Sequence, residues 1–245
     1  FGKSLPKGIW IISLEVIPLN LEPFIFDCEV FAYDWLFVFK NKVTGEYTEI
    51  WNDNEAVEQF MTQEPLLAGF NNKHYDQFIL KAVLSGFTPE EIKAVNDFII
   101  VGGHEGWEYV PLRDCGIFFD QYDLMDDCQM GLSLKAIEAH LGMDIRETTV
   151  PFNIDRPLTE DEKQEVEFYC RHDVDATDRL DDLRQGYLSS KLTLGREKGL
   201  YPAKALYMTN AKLTAAYLDA EQKPHYDERE YQYPPKLLRQ YIPQE

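Results

Sequence analysis

Three short clusters place carboxylates at spacings that project them together. Asp27-Cys28-Glu29 lies inside the apolar run FIFDCEVF. Strand side chains alternate between faces, so Asp27 and Glu29 share one face of a strand otherwise made of Phe, Ile and Val. Two carboxylates on a buried strand repel and lose hydration, and a divalent cation is the usual compensation. An edge strand with one wet face is the competing explanation. The second cluster, Asn72-Lys73-His74-Tyr75-Asp76, follows the buried run LLAGF. The C-terminal edges of strands are where α/β folds gather ligands. Asn72 and Asp76 are placed on one face of an opening helix, where Asn72 can cap and Asp76 can reach a metal. A plain N-cap followed by a first-turn acid on the helix dipole explains the same pair. His74 reads as a surface histidine, and Lys73 more simply as solvated than as a phosphate contact. The third cluster, Tyr169-Cys170-Arg171-His172-Asp173, sets Tyr169 and Asp173 at i and i+4 on a long helix, on the face that carries its apolar stripe. An acid there needs a partner, whether a metal, a backbone donor or a tyrosine hydroxyl. Asp175, Asp178, Asp181 and Asp182 follow with Arg179 and Arg184, and read as a solvated face with local ion pairs.

The elements that must position these clusters are legible in the hydrophobic pattern. Gly8–Ile17, Pro23–Phe31, Trp35–Lys40 and Glu46–Trp51 are apolar, β-branched or aromatic runs that predict an antiparallel meander, with Thr44-Gly45 marking a turn. Asn54–Met61 has helical spacing, and Pro65–Phe70 predicts a strand buried on both faces. Helices are expected over Asn72–Ser85 and from Thr88-Pro89 to about Phe98. Residues 102–116 read as an irregular excursion and Gly116–Leu124 as a strand. Ser133 caps a helix that Gly142 stops. Thr159 and Glu162 form a capping box before a long helix, Glu160–Gly186, whose stripe runs Val166, Tyr169/Cys170, Asp173/Val174, Thr177, Leu180 and Leu183. Tyr201–Ala220 predicts one more helix, and the remainder is Tyr/Pro-rich.

Composition narrows the class. With 44% apolar and 27% charged residues in 245, the chain is ordinary for a folded protein. It shows no apolar run of membrane-span length and no signal peptide, so a cytoplasmic protein without a membrane partner is expected. Cys28, Cys115, Cys128 and Cys170 form no CxxC pair and read as reduced core thiols. The net charge is −19, and it falls entirely in residues 1–200, because 201–245 hold six basic and six acidic residues. The first residue is not Met, which suggests a fragment of a longer polypeptide.

Taken together, Asp-x-Glu on a strand, Asn-x-x-Tyr-Asp after a buried strand and Tyr-x-x-x-Asp on a C-terminal helix resemble the three exonuclease motifs of the DEDD superfamily. The position five residues before Asp173, where the histidine subclass carries its base, is Phe168, so Tyr169 fits the tyrosine (DEDDy) subclass. The stretch QMGLSLKAIEAHLGMDIRETTVPFNIDRPLT followed by FYCRHDVDAT is similar to the exonuclease region of phage-type, family B-like DNA polymerases. The resemblance implies an α/β, ribonuclease H-like fold: a mixed sheet, with an antiparallel N-terminal meander plus parallel strands, flanked by helices. It implies a 3′→5′ exonuclease domain over 1–195 and a linker-like extension over 196–245 toward a polymerase domain in cis or in trans. Asp27, Glu29, Asp76 and Asp173 would hold two divalent metal ions, Mg²⁺ or Mn²⁺, about 4 Å apart. Tyr169 would orient the attacking water, and Asn72, Tyr75 and Phe26 would contact a single-stranded DNA 3′ end, although Phe26 and Phe70 also read as core. If phage-encoded, the protein would act in the host cytoplasm.

A stand-alone RNA-trimming exonuclease and a non-catalytic binding domain on the same fold are the alternatives. The strong negative charge at first argues against a nucleic-acid partner. Two divalent ions would offset the four site acids, leaving about fifteen surplus negatives elsewhere. That balance predicts weak, transient capture of a frayed 3′ end, with few phosphate contacts.

Overall fold

The computed structural model describes residues 22–128 and 131–220. Their centre is a five-stranded mixed sheet of order β3-β2-β1-β4-β5. Strands β1 (Phe24–Val30), β2 (Trp35–Asn41) and β3 (Tyr47–Trp51) form the expected antiparallel meander. Strands β4 (Leu67–Gly69) and β5 (Gln121–Asp123) add in parallel beyond β1. The expected strand Gly8–Ile17 and the Tyr/Pro-rich stretch from 221 onward lie outside the described residues.

Alternation along β1 divides the core. Phe26, Cys28 and Val30 join Phe37, Phe39 and residues of α1 (Asn54–Met61), α2 (Asp76–Leu84) and α3 (Pro89–Ile100) on one face. Ile25 and Phe31 join Leu36, Val38 and Tyr122 on the other, against α5 (Leu134–Leu141) and α6 (Glu160–Glu197). Asp27 and Glu29 have the parity of Ile25 and Phe31, so they interrupt the apolar face that α6 covers.

Cap chemistry fixes several helix starts as expected. Thr88 with Glu91 and Thr159 with Glu162 both form complete capping boxes, and Ser133 caps α5, which Gly142 ends in the left-handed region at φ 67°. Elsewhere the boundaries differ. Helix α2 begins at Asp76, not Asn72, because Asn71 takes φ 65° and residues 72–75 form a turn. Strand β5 is shorter than expected: Gly116 has φ 68° and Phe118 is exposed, so 116–120 run outside the sheet. The 102–116 excursion contains a 3-10 turn (Gly106–Glu108) and a single-turn α4 (Val110–Arg113).

Helix α6 continues past Gly186 to Glu197, so the boundary expected after residue 195 falls in its last turn. A glycine costs a helix about 1 kcal/mol, and burial of Leu188 beyond Gly186 offsets part of that cost. Tyr201–Ala220 forms two helices, α7 (Pro202–Tyr207) and α8 (Asn210–Tyr217), because Met208 and Thr209 are extended and Thr209 caps the second. Helix α7 packs on α6 and β5, and Leu206 is buried. Among the described residues, no helix is long and apolar enough to cross a membrane.

Candidate active site

The site forms where β1 outruns its parallel neighbour. Strand β4 pairs with β1 only at Phe24 and Ile25, so Asp27 to Val30 keep β2 on one side and lose β4 on the other. Asp76, the first residue of α2, stands at that free edge. Cys28 faces the α2 side and Asp27 the α6 side, and Asp76 reaches both. The Cys28 thiol donates to Asp76 Oδ1 at 3.2 Å, and the Asp76 and Asp27 carboxyls lie within hydrogen-bonding reach of each other. From the α6 side come Tyr169, Cys170 and Asp173. The Cys170 thiol is 3.9 Å from Asp27 Oδ2. Tyr169 turns its hydroxyl toward Asp173, which stands beside Glu29.

Four carboxylates from three distant stretches of chain therefore converge, and all but half-buried Asp27 are at least nine-tenths enclosed. Their electrostatics show the cost. Burial, then Asp76, Glu29 and Asp173, raise the Asp27 carboxyl well above the ordinary range. Burial, then Asp173 and Asp76, do the same to Glu29, opposed only by Lys135. Burial pushes Asp76 up to about 6. Burial and the neighbouring Asp173 and Glu29 raise the Tyr169 phenol strongly, so it stays protonated.

Three of the donors here are close enough to share one cation. One donor atom each from Asp27, Glu29 and Cys170 lie within 4.8 Å of one another. Glu29, 9% exposed, accepts no hydrogen bond from the described residues. A buried carboxylate left in that state is the condition a cation relieves. Asp173 is different. It already pairs with Lys135, whose ammonium also lies 3.4 Å from Glu138 and 4.9 Å from the centre of the Tyr169 ring.

No family model, curated protein or solved structure matches this chain.

The residues expected to contact substrate are less uniform. Phe26 is 1% exposed and stacks on Phe39 in the core, and so offers no surface to a base. Asn72 is fully buried and does not cap α2. With its amide oriented to satisfy its neighbours, its nitrogen lies 3.2 Å from the Gly69 and Tyr122 carbonyls, and its other end faces Gln121. The Gln121 and Gln77 amides in turn meet at 3.0 Å, making a buried amide chain that ties β4 and β5 to α2. Tyr75 is half-buried and donates to Asn96 on α3 at 2.7 Å. His74 is on the surface, facing Glu105, as expected. Lys73 is engaged: it pairs with Asp126, donates to the Tyr207 carbonyl and lies over the Tyr207 ring.

Sequence reasoning missed two supports. Lys135 looks like any helix lysine with an i,i+3 acid, and its pairing with Asp173 spans 38 residues. Asp123 accepts from the backbone N–H groups of Asn71, Lys73 and Met125, and so fixes the turn that delivers Asp76. Its position at the end of an expected strand was the available signal. The supposed solvated face of α6 is also corrected. Asp181 is fully buried, accepts from Tyr122 at 2.8 Å and pairs with Lys42 at 3.0 Å, and Asp178 bridges Lys40 and Lys42. Leu183, expected in the apolar stripe, is half exposed.

Proposed function

We propose that this chain is a metal-dependent 3′→5′ exonuclease domain with a ribonuclease H-like fold, acting on single-stranded or mismatched DNA ends as the proofreading part of a phage-type polymerase. The observation that carries the reading is the convergence of Asp27, Glu29, Asp76 and Asp173 beside a protonated Tyr169. Chains do not collect four buried acids without a counter-charge at low cost.

In this reading Asp27, Glu29, Asp76 and Asp173 hold two divalent cations, Mg²⁺ or Mn²⁺. When bound, such ions lower the pKa of water and stabilise charge developing on the phosphate and leaving oxygen. The chain's own residues do the rest. Tyr169 cannot serve as a general base while its phenol is protonated, so it orients the attacking water through its hydroxyl. Lys135 keeps Asp173 fixed relative to Tyr169. Asn72 holds the β4–α2 turn from within, and among Asn72, Phe26 and Tyr75 only Tyr75 is not fully buried. The polymerase domain supplies most of the DNA affinity, because the surface is strongly acidic.

The test compares shortening of a 3′-mismatched primer–template, a matched one, single-stranded DNA and single-stranded RNA in Mg²⁺ or Mn²⁺. The reading expects single-stranded and mismatched DNA to be shortened fastest. Preference for RNA would replace proofreading with RNA trimming, and no metal-dependent shortening of any substrate would overturn the enzymatic assignment.

A further inference from the structure

A buried thiol stands within reach of both Asp27 and Glu29. Cys170 is fully buried on α6, with Sγ 3.9 Å from Asp27 Oδ2. Its sulfur, one Asp27 oxygen and one Glu29 oxygen all lie within 4.8 Å of one another. An ion centred in an equilateral triangle of that side would sit about 2.8 Å from each corner, and shorter sides bring it closer. Zinc–sulfur and zinc–oxygen bonds are about 2.3 Å and 2.0–2.2 Å, so shifts of at most roughly 0.5–0.8 Å close the three donors on one ion. Glu29 supplies the second observation. It is nine-tenths buried and accepts no hydrogen bond from the described residues.

The chemistry of the donors selects the ion. Mg²⁺ prefers oxygen ligands and retains several waters, whereas thiolate favours softer cations. The other thiols are placed differently. Cys28 donates to Asp76 on the α2 side, and Cys128 donates to the Leu124 carbonyl.

We infer that Cys170 Sγ is a third protein ligand beside Asp27 and Glu29, and that this position takes a thiophilic divalent cation, Zn²⁺ or Cd²⁺, more tightly than Mg²⁺. On coordination the sulfur–metal bond forms as the thiol proton leaves to solvent, and no electron is transferred. The inference rests on Asp27 and Glu29 being metal ligands and adds a sulfur to that set.

The test titrates the metal-free protein with Cd²⁺ and follows the ultraviolet thiolate-to-cadmium charge-transfer band, with Mg²⁺ as competitor. Wild type should develop the band at one equivalent and resist displacement by Mg²⁺. Cys170→Ser and Cys170→Ala, each checked for folding by circular dichroism, should lose the band and bind Cd²⁺ at least about tenfold more weakly. Cys28→Ser should keep the band, and Asp27→Asn/Glu29→Gln should weaken Cd²⁺ binding in a protein that retains the thiol. No band in wild type, a band that survives both Cys170 substitutions, or Cd²⁺ affinity unchanged in the carboxylate variant would each overturn the inference. Because the readout is binding, a protein without nuclease activity can still bear it out, and Mg²⁺-dependent activity without the band overturns it alone.

Discussion

Replacing Asp76 by Asn should make the metal-free protein less sensitive to pH. Asp76 is 3% exposed, and burial raises its carboxyl from 3.8 to about 6. A group raised on folding contributes stability that is fully present below its unfolded pKa and lost as pH rises through its folded pKa. For Asp76 that window runs from 3.8 to about 6. Linkage over a shift of this size makes the contribution about 2 kcal/mol larger at about pH 4.5 than at about pH 7.5. In a chain of this length that is roughly 4–8 °C in Tm. Asp27 and Glu29, raised in the same direction, add to the trend. The assay is urea unfolding of wild type and Asp76→Asn in EDTA across this range, repeated with Mn²⁺. The wild-type-minus-variant difference should fall by about 2 kcal/mol between the two pH values, and Mn²⁺ should stabilise wild type far more at the higher pH. An unchanged difference, or a Mn²⁺ response of equal size in both proteins, would refute the reasoning.

Other perturbations probe separate parts of the account. Tyr169→Phe should lower the single-turnover cleavage rate by on the order of ten- to a hundredfold while Mn²⁺ affinity by calorimetry stays unchanged; equal losses would contradict a water-orienting role. Asp181→Ala leaves the buried Tyr122 hydroxyl without its acceptor while Lys42 keeps Asp178 and Asp182, and urea unfolding should show a loss of about 1–3 kcal/mol. Gly195→Val drives a side chain into Ala205, whose Cβ lies 2.4 Å from the position a Cβ would take. It should destabilise by about 1–3 kcal/mol and speed hydrogen exchange in α7. DNA binding by this chain alone, measured by fluorescence anisotropy in Ca²⁺, should be weak with a shallow salt slope; a steep slope would show many phosphate contacts that the acidic surface does not predict.

Local signals carried most of the fold. The meander, the cap residues Thr88, Ser133 and Thr159 and the stop at Gly142 depend on neighbours in sequence, and each appears in place. Asn71 at positive φ shows where that logic ends: nothing in FNNKHYD states that the chain turns through 72–75 and that Asn72 is buried. The two short parallel strands were overextended because their lengths are set by pairing across the sheet. Asp27 and Glu29 were legible as an i,i+2 pair and Asp173 from its i,i+4 neighbour Tyr169, while Asp76 reaches them from the first residue of a helix that starts four residues later than its spacing from Asn72 implied. Lys135, Asp123 and the partners of Asp181 were not legible, because each acts on residues 38 to 139 positions away. Periodicity can place a charge on a face but cannot say what faces it.

The central claim is that Asp27, Glu29, Asp76 and Asp173 hold the metal ions that cut a 3′ end. Its most direct measurement follows 5′-labelled single-stranded DNA with wild type and Asp27→Ala/Glu29→Ala, each in Mn²⁺ and in EDTA. The account predicts a ladder shortening one nucleotide at a time from the 3′ end for wild type in Mn²⁺, and intact DNA in the other three reactions. A ladder that persists in EDTA or in the folded double variant would contradict it.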